Sequence, residues 1–453
     1  MIIKNLKKYL YAPDVPLRRV ISDLYRKQTS ICLVVGRNKK LQGIVTLSDL
    51  KKALFEGLSP SAPVSAVMNR DFTSAPAGTP LSRLRGLASR QTKFRTGILE
   101  KIPLLDSEGR LKGLYILPGT QASQLTVLVT GAAGYVGSHL CRKLLAKGYR
   151  VVGLDALMFG NDSIRELRKH KHFTLIKGSV SDIGTVIKAL QGVDVVVHLA
   201  GIVGDPASSL HPLFTLEQNH FATKMFADVC KYYQISRFVF ASSCSVYGAS
   251  SGILTEQSKL NPVSLYAQSK KHSEQVLLKE ADKEFHPVIL RFGTLYGLSP
   301  RMRFDLVVNT MSAHAYFDKH ITVDGGAQWR PLLHVEDAAG ACVAAIEAPL
   351  HKVSGQIFNV GDTKENYRIE DIARAVQKNF PNSKITSLDS IKDRRDYRVS
   401  FAKINRQMGW RASRKLPEGI AEMARALRKG SFKRWRHKLH SNYLTLKSLV
   451  GGL

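Results

Sequence analysis

The sequence predicts an α/β protein: a doubly wound parallel sheet with a C-terminal cap, preceded by a smaller α/β unit. Three observations carry this reading. From Leu125 onward, apolar strands of four to six residues alternate with amphipathic segments of helix length. The first of those strands runs directly into a glycine-rich turn that opens a helix. Before residue 120, a strand–turn–strand pattern occurs twice, which suggests an internal duplication.

In chain order, Ile31–Val35 and Gly43–Thr46 flank the polar turn Gly36-Arg-Asn-Lys-Lys40, and a helix is expected near Ser48. The echo is Ile102–Leu105, the turn Asp106-Ser-Glu-Gly-Arg110 and Leu111–Ile116. Pro118-Gly-Thr-Gln-Ala-Ser-Gln124 reads as a linker. The expected parallel strands are Thr126–Thr130, Val151–Leu154, Phe173–Ile176, Val193–His198, Phe238–Ser242 and Val288–Arg291. Beyond about residue 300 the pattern is less regular and richer in Arg. That region is expected to cap the carboxyl ends of the strands, where such sheets bind ligands. The expected domains are thus residues 1–120, residues 125–410 and a basic helical tail, residues 411–453.

A chain of 453 residues exceeds one ordinary core. With 44 % apolar and 23 % charged residues it is a folding sequence, not a disordered one. No apolar run approaches the ~18 residues of a membrane span, and no secretory signal is expected from the residues Met1-Ile-Ile-Lys-Asn-Leu-Lys-Lys8. Cys32, Cys141, Cys230, Cys244 and Cys342 form no Cys-x-x-Cys pair, which argues against a disulfide framework or a metal site and points to a reducing, cytoplasmic setting. The net charge is +31. Residues 1–124 carry 21 Lys+Arg against 8 Asp+Glu, 125–410 carry 35 against 26, and 411–453 carry 11 against 2, so most of the excess lies outside the middle segment. Spread charge of this kind reads as a solvated face, with no specific nucleic-acid partner expected. The exception is Lys429–Lys438, where basic residues interleave with Phe432 and Trp435. That pattern suits either peripheral contact with an anionic membrane or a packed terminal helix.

Thr126–Thr130 leads into Gly131-Ala-Ala-Gly134-Tyr135-Val136-Gly137 and a helix reaching about Lys147. Gly131 permits the tight turn, Gly134 lets a pyrophosphate approach the helix N-terminus, and Gly137 lets helix pack on strand. Asp155 ends the second strand, where a carboxylate accepts from both hydroxyls of an adenosine ribose and repels a 2′-phosphate. The turn holds no Arg to bind such a phosphate, so NAD is expected rather than NADP.

Tyr266 and Lys270, in Ser264-Leu-Tyr-Ala-Gln-Ser-Lys270, are one helical turn apart. An adjacent ammonium and a cationic nicotinamide both favour the phenolate, which suits Tyr266 as a base toward a sugar hydroxyl. This spacing alone is weak, because the chain has 15 tyrosines. Its weight comes from following the dinucleotide turn and the Ser242–Gly248 segment. Ser243, at the end of its strand, is placed to bond the reacting oxygen, or is an ordinary strand-end residue.

The motifs T-G-A-A-G-Y-V-G, D-A-L, H-L-A-G, A-S-S-C-S-V-Y-G, Y-A-Q-S-K and R-F-G-T-L-Y-G resemble the extended short-chain dehydrogenase/reductase family, which includes the NAD-dependent epimerase/dehydratases of sugar nucleotides. The resemblance covers roughly residues 125–410 and implies a Rossmann-type fold. It implies that Gly131, Gly134, Tyr135, Val136 and Gly137 hold the pyrophosphate and Asp155 the ribose. Ser179 and Val180 would lie by the adenine, and Leu199, Ala200 and Gly201 along the cofactor. Ser243, Tyr266 and Lys270 would be the catalytic residues. On the substrate side, Arg330 in Trp-Arg-Pro-Leu-Leu-His matches the family's diphosphate-binding arginine. Thr294, Arg301, Arg303 and Arg395 are further candidates for substrate binding. A nucleotide-diphosphate sugar substrate, a homodimer and a place in surface polysaccharide precursor synthesis are implied as well.

Family members diverge after oxidising the sugar, usually at C4. The dehydratases carry an Asp-Glu pair after the Ser243 position; this chain has Cys244 and Ser245. The fucose-forming epimerase–reductases carry a Cys at the Ser245 position and a His after the Tyr296-Gly297 position; this chain has Leu298-Ser-Pro300. Epimerisation with retained NAD is the expected reaction, with a ketoreductase or dehydrogenase as alternative, a 4,6-dehydratase disfavoured, and a non-catalytic nucleotide or redox sensor as the reading from another class. Cys244 is expected to be a small buried residue.

Gly43-Ile-Val-Thr46-Leu-Ser-Asp49 resembles the signature of cystathionine-β-synthase-type (CBS) domains, which occur in pairs and often bind adenosine nucleotides. The resemblance gives Thr46 and Asp49 contacts to phosphate and ribose of AMP or ATP. The second copy, Gly113-Leu-Tyr-Ile-Leu-Pro-Gly119, has lost both, so a purely structural pair is the alternative.

Overall fold

The computed structural model describes residues 2–26, 29, 31–46, 49–50, 53, 57–80, 83–84, 101–116, 125–388 and 395–450. The chain divides into two compact units, Met1–Gln121 and Ala122–Leu453.

Each half of the first unit builds the same three strands. Leu10–Tyr11 runs parallel to Ile31–Val35, which pairs antiparallel with Leu41–Thr46. Ala75–Pro76 runs parallel to Lys101–Leu105, which pairs antiparallel with Leu111–Ile116. The register slips at matching points, between Val34 and Val35 and between Leu104 and Leu105, so the duplication extends to the backbone irregularity. Leu17, Val20 and Leu24 of the helix Leu17–Arg26 pack on Cys32, Val34 and Val45. Of the helix expected near Ser48, Asp49 and Leu50 are helical. The linker expected at 118–124 and residues 117–119 of the second copy lie outside the described residues.

The second unit is built on seven parallel strands, numbered here along the chain: β1 Thr126–Thr130, β2 Arg150–Asp155, β3 Phe173–Lys177, β4 Val195–His198, β5 Arg237–Ser243, β6 His286–Phe292 and β7 Gln356–Val360. Their order is β3-β2-β1-β4-β5-β6-β7. The order reverses between β1 and β4, and a crevice opens there at the carboxyl ends. Successive strand residues feed opposite cores. Val127, Val129, Val195, Val197, Val239 and Leu290 join Leu140 and Leu144 of α1 (Gly137–Ala146). Leu128, Val196, Phe238, Phe240 and Ile289 join Phe226 and Cys230 of α2 (Ala222–Tyr232). Six strands stand where the sequence places them, within a few residues. The seventh escaped detection because polar Gln356 and Asn359 break its apolar run. The Asn359 side chain is buried and bonded to the Tyr247 hydroxyl (2.8 Å) and the Ser400 carbonyl (3.2 Å).

Residues beyond 410 do not form a separate tail. Leu416, Ile420, Met423 and Leu427 of α4 (Leu416–Arg428) share one core with Tyr296, Phe304, Met311, Ile372 and Val376 of the cap. The segment Lys429–Lys438 is a series of turns ending in a short helix, not the amphipathic helix of the membrane reading. Trp435 is buried against Phe304, Phe317 and His314, and Phe432 packs edge-on to Phe304. Both aromatic rings therefore contribute to the core, and the basic residues between them face outward. Among the described residues, no helix is long and apolar enough to cross a membrane.

One polar cluster fixes the helix that carries Tyr266 and Lys270. This is α3, Leu265–Lys279, capped by the Ser264 hydroxyl. Two turns in, Glu274 meets Arg291 of β6 inside the core, with 2 % of each side chain exposed. Arg291 Nε and Nη2 donate to both carboxylate oxygens (2.6–3.2 Å), Nη1 donates to the Tyr247 hydroxyl (2.9 Å), and the Ser242 hydroxyl donates to Glu274. Glu274→Ala leaves a buried guanidinium uncompensated, and chemical denaturation should read a loss of about 3–5 kcal/mol. The double variant Glu274→Leu/Arg291→Met should lose much less than the two single variants combined. An exposed-pair-sized effect of the single variant would contradict this account.

Candidate active site

The turn after β1 is shaped by close backbone approach. Gly131 has φ +69°, and its N–H donates to the Leu154 carbonyl (2.8 Å). A Cβ on Gly137 would stand 2.0 Å from the Gly131 carbonyl oxygen, so no larger residue fits. Gly131, Gly134, Tyr135, Val136 and Gly137 all line one cavity, together with Asp155, Ser179, Val180, Leu199, Ala200 and Gly201. The structure therefore brings together every residue that the sequence assigned to a dinucleotide. Asp155 accepts from the N–H groups of Ala133 (2.9 Å) and Leu157 (2.7 Å), which hold its carboxylate at the end of β2. Desolvation raises its pKa, and these two bonds oppose the rise. Ser179 bonds Ser181 (2.9 Å) and Gln218 (3.1 Å), and Gln218 also lines the cavity.

Beneath the cavity floor lies a polar relay that the sequence did not reveal. Thr130 Oγ1 accepts from the N–H groups of Leu199 and Ala200 (both 3.1 Å), so its own proton goes to His198 Nδ1 (2.9 Å). His198 then carries its proton on Nε2, facing Thr223 Oγ1 (3.2 Å), which in turn donates to the Asn219 carbonyl (2.6 Å). Burial and nearby Lys270 push the His198 pKa down to about 3, so the ring is a neutral spacer and not an acid. Asn219 ties the loop after β4 to α3. It accepts from Ile202 N–H (2.7 Å) and donates to the Ile202 carbonyl (2.9 Å) and Ser269 (3.2 Å).

Tyr266 and Lys270 line the same cavity. Lys270 is almost fully buried; its ammonium donates to the Ala241 carbonyl (2.8 Å) and stands 4.7 Å from the Phe240 ring centre and 6.0 Å from that of Tyr266. Desolvation pushes its pKa down to about 8, opposed by Glu274. Ser243 accepts from Ser245 N–H (3.2 Å) and Ser245 O–H (2.8 Å). With both lone pairs engaged, its proton is left to give, and it lies near enough to Tyr266 to lower the phenol's pKa. The phenolate preference expected for Tyr266 does not hold in the protein alone. Desolvation pushes the phenol up to about 12, and Asp205 adds to the rise, against lowering by Ser243, Arg303 and Arg395. Cys244 is buried, its thiol facing the Arg291 carbonyl (3.3 Å), and burial raises its pKa far from reactivity.

A second cavity adjoins the first across Tyr266, Ser242, Phe292, Leu295 and Arg303. Ser243, Ser245, Thr294, Asp205, Arg395 and Tyr397 line it. Arg395 pairs with Asp205 (3.3 Å), and Arg303 is held in a fork by Asp305 (2.9 and 3.1 Å). Three expected substrate contacts, Thr294, Arg303 and Arg395, thus meet beside Tyr266. Two do not. Arg301 lines only the first cavity. Arg330 lines neither; its guanidinium donates to the carbonyls of Trp329 (2.7 Å) and Arg395, bracing the segment that carries Arg395. In the first unit, Thr46 N–H (2.8 Å) and O–H (2.7 Å) both donate to Asp49, which closes a tight turn between the two.

The donor set of the first cavity fits an adenine dinucleotide. A glycine cradle leaves room for a diphosphate at the α1 N-terminus, a carboxylate stands at the ribose position, and the buried Nε of Arg301 has no hydrogen-bond partner. Asp205 and Asn442 also line the two cavities, Asn219 braces Ile202 of the first, and no motif announces them. Each reaches the site through tertiary packing.

The sequence profile of the NAD dependent epimerase/dehydratase family matches residues 127–361, and that of the CBS domain matches residues 11–56. The chain is 35 % identical over 253 residues to a protein of Bacillus subtilis (strain 168) described as the uncharacterized UDP-glucose epimerase YtcB, covering 52 % of this chain and 77 % of that one. It is 28 % identical over 327 residues to the UDP-glucose 4-epimerase of the same organism, covering 66 % and 95 %. Among solved structures, the UDP-glucuronic acid 4-epimerase from Bacillus cereus, in complex with UDP-glucuronic acid and NAD, superposes with a TM-score of 0.61 at 28 % identity, covering 67 % of this chain and 99 % of that one. With the profile spanning just over half of its length, the chain belongs to the NAD dependent epimerase/dehydratase family.

Proposed function

We propose that this chain is a 4-epimerase of a nucleotide-diphosphate sugar, with uridine diphosphate as the carrier. The observation that carries the reading is the meeting of Ser243, Tyr266 and Lys270 on the border between a dinucleotide cavity and a second, arginine-lined one. The named activities of the similar epimerases support it. Held by the Gly131–Gly137 turn and Asp155, NAD would supply a hydride acceptor for the sugar carbon and the hydride for return to the opposite face of the resulting ketone. The remaining work falls to the chain. Tyr266 takes the proton of the C4 hydroxyl and later returns it. Ser243 donates to the same oxygen, and Lys270 supplies positive charge beneath the pair. Because the phenol is protonated near neutral pH in the protein alone, Tyr266 becomes a competent base only when added positive charge offsets its desolvation. Arg303 and Arg395 are placed for the sugar diphosphate, and Thr294 for the sugar.

Epimerisation is favoured over dehydration by one observation. The positions after Ser243 hold a buried thiol and a serine occupied with Ser243, so neither offers an acid–base pair. A homodimer follows the family resemblance, and the exposed Leu213, Phe221 and Tyr232 on neighbouring helices support it. The expected place in surface polysaccharide precursor synthesis follows from the substrate class.

Three measurements test these assignments. Tyr266→Phe should lower turnover by at least about a hundredfold, with C4 configuration read by NMR over a panel of nucleotide sugars; undiminished turnover would end the mechanism. Lys270→Met should abolish turnover yet raise the melting temperature of the cofactor-free protein at pH 7. The folded-state pKa of Lys270 lies below its unfolded value of 10.5, so its burial penalises the protonated form; the penalty is full below about 8 and shrinks as pH rises from there to the unfolded value. The two melting curves should therefore draw together as pH rises above about 8, and a lower melting temperature of the variant at pH 7 would refute the assignment. Finally, AMP or ATP should raise the melting temperature of the wild type through Thr46 and Asp49 and should not do so for Asp49→Ala; equal shifts would remove the nucleotide from this site.

A further inference from the structure

The wall of the dinucleotide cavity contains a residue from the far C-terminus. Asn442 opens α5 (Asn442–Val450), is buried to 4 % exposure, and lines the cavity together with Arg301 and Phe159. All its polar groups are used. Its Oδ1 accepts from Arg301 Nη2 (2.6 Å), its Nδ2 donates to the Val203 carbonyl (3.0 Å), and its backbone N–H donates to Asp305 (3.0 Å). The segment is fastened on both flanks. Phe304 N–H donates to the His440 carbonyl (2.8 Å), and Leu446 packs on Ile202 and Ala207.

Arg301 is the group this arrangement serves. Its guanidinium lies 3.9 Å from the Phe159 ring centre, it is 6 % exposed, and its Nε is buried without a partner. Nearby Arg303 takes both oxygens of Asp305, so among the described residues Arg301 has no carboxylate in direct contact, and Asp155 of the same cavity acts on it only through space. A buried cation in that state calls for an anion. Because Arg301 lines the cavity of the Gly131–Gly137 turn and not the second cavity, the anion in question is the diphosphate of the cofactor, not that of the sugar nucleotide.

We propose that Asn442 is a positioning residue of the cofactor site: the C-terminal segment His440–Leu446 straps one wall of the cavity and holds Arg301 ready for the cofactor diphosphate. This rests on the cofactor site assigned above. Cofactor affinity is thereby coupled to docking of the last helix, a segment outside the residues that the family profile matches.

The test uses full-length, NAD-stripped protein, with binding of NAD, ADP-ribose and adenosine measured by calorimetric titration and melting followed without ligand. Asn442→Ala should weaken NAD and ADP-ribose alike, by about tenfold for a lost charge-assisted contact, and leave adenosine unchanged. Arg301→Met should do the same, and the double variant should be no weaker than Arg301→Met, because Asn442 acts through Arg301. Equal weakening of all three ligands, unchanged ADP-ribose binding, or additive losses in the double variant would overturn the proposal. If Asn442→Ala melts far below the wild type, Asn442→Asp takes its place. That variant keeps an acceptor for Arg301 but cancels its charge, and it too should weaken ADP-ribose and spare adenosine; unchanged ADP-ribose binding again overturns the proposal. Wild type that binds no NAD would instead sink the cofactor site itself, and this inference with it.

Discussion

Glu274 and Arg291 meet in the protein interior, and the geometry of the site follows from where they meet. Tyr266, Lys270 and Glu274 occupy one stripe of α3 at four-residue spacing, so fixing the third fixes the other two. The pair anchors that stripe to β6, Ser242 extends the anchor to β5, and Tyr247 carries it through Asn359 to β7. Ser243 is the residue after Ser242, so both faces of the reacting pair are set by one network. Removing one partner leaves a charge that neither water nor protein can satisfy, which makes the network strongly cooperative.

Around that anchor the site is built with an excess of buried positive charge. Lys270 sits at the edge of its protonation range, and Arg301 is held in a wall where burial and Arg303 push its pKa down to about 9. Each of these groups costs folding energy in the empty protein and is relieved by an anion or a developing negative charge. Tyr266 shows the converse. Desolvation raises the pKa of its phenol, and added positive charge would oppose the rise. Under the proposed mechanism, reactivity is therefore conditional on a loaded cavity, a consequence of low-dielectric surroundings rather than of any single side chain.

Much of the site was legible in advance, for a local reason. The glycine turn, Asp155 and the Tyr266/Lys270 spacing each lie within a few residues of a strand or helix boundary, and their roles follow from backbone geometry that short sequence patterns encode. Arg330 illustrates the limit. Its motif is clear, yet its guanidinium reaches the Arg395 carbonyl and lines neither of the two cavities, because β-strand pairing and the fold of the cap decide which way a long side chain points. The same holds for Lys429–Lys438. Its composition suits a membrane surface, but Phe304 and Phe317 offer Trp435 an apolar place inside the protein.

By itself the sequence determined the order of strands and helices, the dinucleotide turn, the duplicated first unit and the trio Ser243, Tyr266 and Lys270, since all of these rest on periodicity and close-range backbone constraints. Tertiary structure alone decided the seventh strand with its buried Asn359, the His198 relay, the split of the arginines between two cavities and the arrival of Asn442 beside Arg301. These contacts join residues far apart in the chain. Their partners are selected by burial and hydrogen-bond satisfaction after the core has closed, and no local pattern records them.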